Sequence, residues 1–232
     1  MPVYFWESII PGGFMTTARR LQILIGLVIA LGLPFAHLGD LGKKYSGLGP
    51  LWGGEAVWWG LFVVVLLYVL LVERRSLSSL HFVRPRVMDL VAGAIAAIVV
   101  IVGIGVIFNF VLPALHLTVT QRLSALMSAP FLFRVLLVTR AAFVEETLFR
   151  GYGFERITEL TGSAGLAAIV TFALFTLAHY SGGGWGQVLI AAWGGFVITA
   201  LYVWRRNLWA NILCHWLTDA AGFLLLPMAP HH

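Results

Sequence analysis

The sequence predicts an all-α, polytopic bundle of about seven transmembrane helices, within a range of six to eight, with a polar layer between helices four, five and seven. Three observations carry this. Of 232 residues, 60% are hydrophobic and only 11% charged, whereas soluble chains carry roughly one quarter charged residues. The charges bracket uncharged stretches close to the ~20 residues that cross a ~30 Å hydrocarbon core as a helix. The few ionisable residues inside apolar stretches concentrate in the last part of the chain, at helical spacings.

Taken in order, residues 1–17, with Phe5, Trp6 and Phe14, read as an interfacial segment on the membrane surface. Residues 21–38 are the first span, with Pro34 kinking or ending its helix. Arg19 and Arg20 ahead of an apolar run also fit a secretory signal, but no small-residue cleavage site follows and six further spans do, so the segment stays a span. A Gly-rich loop at 39–55 precedes the second span, 56–72, which Glu73, Arg74 and Arg75 close. The basic stretch 76–89, interrupted by Pro85, is a connector. Residues 90–121 hold the third span, ending near Pro113. Residues 131–159 form the fourth, the one candidate with charges in its middle. Residues 161–204 are too long for one crossing and divide at the SGGG of 181–184 into the fifth and sixth. Residues 207–228 are the seventh.

Basic residues orient such a bundle. If the helices alternate, one side collects Arg19, Arg20, Arg74, Arg75, Arg84, Arg86, Arg150, Arg156, Arg205 and Arg206, and the other Lys43, Lys44, Arg122 and Arg134. Ten against four puts the N-terminus in the cytoplasm, as in an integral protein of a bacterial cytoplasmic membrane. The net charge of +5 reports topology and contact with an anionic bilayer, and nothing suggests a nucleic-acid surface. Cys214 has no cysteine to pair with and reads as a small buried residue; His231 and His232 are assigned nothing. One integral-membrane domain is expected, residues 1–128 supplying the first three spans and 129–232 a catalytic helical core.

Ionisable groups at membrane depth are costly and usually functional. In the motif AAFVEETLFRGYG, Glu146 and Arg150 stand four apart on one helix face and can neutralise each other, whereas Glu145 has no evident local partner. Arg140 lies off the face of either glutamate at 100° per residue, and its readings are snorkelling, lipid pairing or recognition of a substrate carboxylate. A turn at 161–163 makes helices four and five antiparallel, and Glu145 and His179 are then each about 24 Å from it. His215 and Asp219 share a face of the last helix, with Asn211 one turn earlier, at about 13 and 20 Å from its start. A carboxylate and an imidazole at one depth can deprotonate a water, and a second donor face can hold the charge on an attacked carbonyl.

Glu145-Glu146-x-x-x-Arg150-Gly151, Phe175-x-x-x-His179 and His215-x-x-x-Asp219, in that order, resemble the CPBP family of intramembrane proteases, which includes the type II CAAX prenyl endopeptidases and bacteriocin-processing or immunity-associated proteins. The resemblance covers about residues 131–223. It implies metal-independent peptide hydrolysis with no cofactor: Glu145 as general base, His179 orienting the water, Glu146 and Arg150 supporting the site, and His215 donating to the oxyanion. Phe175 and Asn211 are further candidates. Asp219 stands where the family often has Asn; an ionised Asp only accepts hydrogen bonds, so it is either protonated or orients His215. The implied substrate is a membrane-anchored or C-terminally tailed protein.

Other readings of the same residues stay open. Glu145, Glu146, His179, His215 and Asp219 could ligate zinc, although there is no HExxH and Arg150 would sit beside the metal. A serine protease lacks its GxSG, and an aspartyl protease lacks a second membrane aspartate. A scaffold or immunity protein could use the cluster to bind a partner without chemistry.

Overall fold

The computed structural model describes residues 15–36, 50–119 and 125–225, with the side chains of 50 and 51 excepted. All regular structure among these residues is helical. The expected interfacial segment up to Phe14, most of the 39–55 loop, and the terminal histidines lie outside the described residues.

Among the described residues, seven long helices follow in chain order: α1 (Thr17–Ala36), α2 (Trp52–Val72), α3 (Val87–Ala114), α4 (131–161), α5 (Ala164–Ala178), α6 (Tyr180–Arg205) and α7 (208–225). Of these, α1, α2, α3 and α6 are long and apolar enough to cross a membrane by length and composition. Their ends lie where local chemistry stops a helix. The last turn of α1 tightens to a 3-10 turn over Leu33–Ala36, around Pro34. The 76–86 connector contains one short 3-10 turn, and α3 begins after Pro85 with Asp89 accepting from the Arg86 backbone N–H at 2.7 Å. Between α4 and α5, Gly162 adopts a left-handed φ of 70° and Ser163 caps α5 by accepting from Leu166 N–H. Within the SGGG stretch Gly184 takes φ 66°, ψ −161°, a conformation essentially reserved to glycine, and kinks α6.

The helices alternate in direction, as ion pairs at one end demonstrate. There Glu73 at the end of α2 accepts from Arg156 Nη2 of α4 at 2.6 Å and from Tyr152 at 2.8 Å. Arg75 donates to both oxygens of Glu159, Arg205 at the end of α6 pairs with Asp89 at the start of α3, and Arg206 pairs with Glu155. Much of the basic charge assigned to this side is thus matched by acidic residues. Arg150, counted among the loop cations, is instead fully buried in the bundle.

Helix α4 runs through the centre, and residues 146–154 are all buried. Apolar residues of α1, α2, α5 and the start of α7 surround it, including Leu31, Val65, Phe175 and Leu208. On the other side α3 packs against α6 and α7 through Ala92, Ala97, Val100, Ile198, Ala210 and Cys214. Small residues set this approach: a Cβ added to Gly93 would stand 2.5 Å from the Ala210 carbonyl oxygen, so α3 and α7 meet backbone to backbone. The opposite face of α3 leaves Ile95, Ile98 and Val102 exposed, as a lipid-facing surface does. Central burial also accommodates the irregular backbone of α4, which is π-helical over Ala141–Glu145 and Thr147–Phe154. Such turns are frequent at functional sites.

Candidate active site

Glu146 is fully buried and saturated with donors. Its Oε1 accepts from Arg150 Nη1 at 3.0 Å and from His215 Nδ1 at 2.7 Å, and its Oε2 accepts from Asn211 Nδ2 at 3.4 Å. The expected Glu146–Arg150 pair is present, one helical turn apart. It extends further than expected: Arg150 Nη2 donates to the Gly195 carbonyl and to Thr199 of α6, and its guanidinium lies 4.3 Å from the Phe175 ring centroid. The Glu146–Arg150 pair therefore joins α4 to α6 and α7 and stands at the centre of the cluster.

Glu145 faces elsewhere. Its Oε2 lies 3.9 Å from His179 Nε2, the meeting that equal depth predicted. It does have a local partner, however, because Arg140 Nη1 donates to Oε1 at 3.3 Å. The expectation that Arg140 lies off the glutamate faces assumed α-helical rotation. The π-helical turn at Ala141–Glu145 uses i→i+5 hydrogen bonds and brings residues five apart into line. Arg140 is buried and also donates to Glu55 of α2 at 3.2 Å, so it is held between two carboxylates rather than snorkelling. Glu55, at the edge of an uncharged run, was the sequence signal for this contact; it read as a loop residue.

The Phe175-x-x-x-His179 spacing has a local cause. In the last turn of α5 the carbonyls lack intrahelical donors, and His179 Nδ1 donates to the Phe175 carbonyl at 2.8 Å. That leaves Nε2, in the neutral ring, as an acceptor on the side of Glu145. The Phe175 ring is 4.7 Å from the His179 ring and 6.2 Å from that of His215, so it separates the two imidazoles while packing on both.

His215 lies between two carboxylates, with Nδ1 on Glu146 and Nε2 3.5 Å from Asp219 Oδ2. Asn211 is buried, donates to the Ile198 carbonyl at 2.8 Å, and stands on the Glu146 side of the cluster.

Glu145, His179, His215 and Asp219 all line one cavity of about 270 Å³, whose wall also includes Arg140, Trp58, Ser181 and Gln187. Glu146, Arg150, Phe175 and Asn211 stand behind it. The cavity-lining carboxylates of Glu145 and Asp219 retain 18% and 25% side-chain exposure, against none for Glu146, so water can reach the first two and not the third. Among the described residues no three of His, Cys, Asp and Glu are disposed to hold a metal ion.

Residues 125–221 match the family model described as type II CAAX prenyl endopeptidase Rce1-like, a stretch that contains Glu145, Glu146, Arg150, Phe175, His179, Asn211, His215 and Asp219. The family resemblance read from the three motifs is thereby shown over the C-terminal helices. No curated protein and no solved structure gives a match. Its long apolar helices are those of an integral membrane protein, and its residues 125–221 are similar to a membrane protease family.

Proposed function

We propose that this protein is an intramembrane endopeptidase that cleaves a CAAX-type C-terminal tail of a membrane-anchored protein without a metal. One observation carries the reading: three different helices bring Glu145, His179, His215 and Asp219 to the wall of one cavity. The family match over 125–221 supports the substrate class. In this reading residues 129–232 form the catalytic core, residues 1–128 pack around it, all seven helices cross the bilayer, and the N-terminus is cytoplasmic.

The chemistry follows from donors and acceptors. A water between Glu145 Oε2 and His179 Nε2, which are 3.9 Å apart, donates one hydrogen to each and turns its lone pair toward the scissile carbonyl. Glu145 takes the proton as the water oxygen adds to that carbon. His215, protonated between Glu146 and Asp219, holds its Nδ1–H on Glu146 and turns Nε2–H toward the developing oxyanion. Asp219, 3.5 Å from that nitrogen, orients the ring. Glu145 then returns its proton to the leaving amine, and the C–N bond breaks.

The test is expression of the wild type and Glu145→Gln with proteins bearing CAAX-type tails. The expected result is a tail-shortened product in the wild type alone. Identical products from the two would overturn the peptidase reading and favour a scaffold. Loss of wild-type cleavage on treatment with strong chelators, restored by added zinc, would favour a metalloprotease.

A further inference from the structure

The described residues that line the cavity come from one half of the bundle. Pro34 is in the last turn of α1, Trp58 near the start of α2 and Leu126 ahead of α4, while Ser181 and Gly182 join α5 to the straight part of α6. His215, Asp219 and Phe223 succeed one another toward the C-terminal end of α7. All of these stand away from the α4–α5 turn, the 76–86 connector and the α6–α7 turn. In that other direction the bundle is closed. Residues 146–154 of α4 are buried, and Glu73 ties Tyr152 and Arg156 of α4 to the end of α2.

The closed end is also the basic one. It holds nine of the ten arginines that the sequence places in the cytoplasm, the tenth being the buried Arg150. Basic residues at span ends set orientation and acidic neighbours count little, so the ion pairs at this end leave the assignment standing. Aromatic side chains mark the two interfaces. Trp185 and Trp204 are exposed at opposite ends of the straight part of α6. At 1.5 Å per residue they are about 28 Å apart, close to the ~30 Å of a hydrocarbon core. Exposed Tyr180 and Trp185 flank Ser181 of the cavity wall, so the cavity mouth stands at the interface away from the arginines. Helix α5 has 15 residues and rises only about 22 Å. It ends short of that interface and leaves His179 at the floor of a recess.

We infer that the cavity opens to the extracytoplasmic side, so that the substrate is a bilayer-anchored protein displaying its tail outside the cytoplasm. This rests on the peptidase reading above and names which proteins reach that site. A tail emerging on the outer side meets the recess at the level of Glu145 and His179. A tail in the cytoplasm meets the buried half of α4 and the arginine-rich end instead.

Two measurements test the side and the substrate separately. The full-length protein, expressed in bacteria, is probed with a membrane-impermeant maleimide in spheroplasts and in inverted vesicles, the native Cys214 being buried. Ser181→Cys is expected to label in spheroplasts, and Ser78→Cys, exposed in the connector, only in inverted vesicles. Trp185→Cys, exposed beside Ser181, reports the same side should Ser181→Cys fail to insert. A CAAX-type tail is then fused to a single-span anchor in either orientation and expressed with the wild type or Glu145→Gln. The outward tail should be shortened by the wild type alone and the inward tail left intact. Labelling of Ser181→Cys only in inverted vesicles, or shortening of the inward tail, would overturn the inference and leave the peptidase reading intact. Shortening of neither tail would overturn the peptidase reading and the substrate assignment with it, and the labelling would still give the side of the opening.

Discussion

His215 Nδ1 and Glu146 Oε1 are 2.7 Å apart, on the same oxygen that accepts from Arg150 Nη1 at 3.0 Å, so the second glutamate of the pair is the joint between α4 and α7. Removing its charge leaves Arg150 buried and uncompensated. Glu146→Gln is expected to lower stability by about 3–5 kcal/mol, the usual cost of breaking one side of a buried pair. Thermal unfolding in detergent measures this, and Glu146→Gln/Arg150→Met should recover much of the loss.

Glu145 is held differently. Its Arg140 contact is 3.3 Å, and Arg140 keeps Glu55 when Glu145 changes. Glu145→Gln should therefore elute and melt like the wild type while cleavage falls by about 10²–10⁴-fold, the range for a lost general base. Initial rates on the tailed substrate, with size-exclusion profiles, test both halves.

Arg140 bridges Glu55 and Glu145 with separate guanidinium nitrogens. Lysine is a point charge and cannot make that fork. For Arg140→Lys the expectation is a fall in kcat of about tenfold, equivalent to about 1.4 kcal/mol, with KM little changed because the residue positions the base. A rise in KM alone would instead assign Arg140 to substrate binding.

Asp219 lies 3.5 Å from His215 Nε2. Asp219→Asn retains a side chain able to orient the ring and to donate to an oxyanion, so measurable cleavage should persist; Asp219→Ala should lose most of it. Equal loss in both variants would mean that the carboxylate itself is required.

Outside the spans, burial and then the neighbouring Arg206 charge push the His81 imidazole down from the usual 6.5 to about 4. Glu155 Oε2, 3.4 Å from its Nε2, is engaged by Arg206 at 2.8 Å. The folded state holds His81 neutral and the unfolded chain takes up the proton first. Its contribution is therefore complete above about pH 6.5 and is lost as pH falls toward 4. Melting temperature in detergent should drop across that window. His81→Asn, which tolerates the left-handed φ of 57° at this position, should flatten the drop.

Several features of the site were legible because they are local. The i, i+4 spacing alone placed Glu146 beside Arg150 and His215 near Asp219. The 161–163 turn put Glu145 and His179 at one depth, and they meet. Arg140 was misplaced because a π-turn changes the rotation per residue, and no residue in Ala141–Glu145 announces that change.

By itself the sequence determined the membrane class, several helix ends and the partners one turn apart, since hydropathy, capping residues and helical periodicity act within a few residues of the chain. It missed that α2 starts inside the expected 39–55 loop and α3 inside the expected 76–89 connector. Only the tertiary structure decided that Glu146 serves His215 and that Glu55 of α2 reaches Arg140. Those outcomes depend on how each helix is rotated about its axis. Rotation is set by close contacts between distant residues, such as Gly93 against Ala210, and by the extra residue per turn in α4.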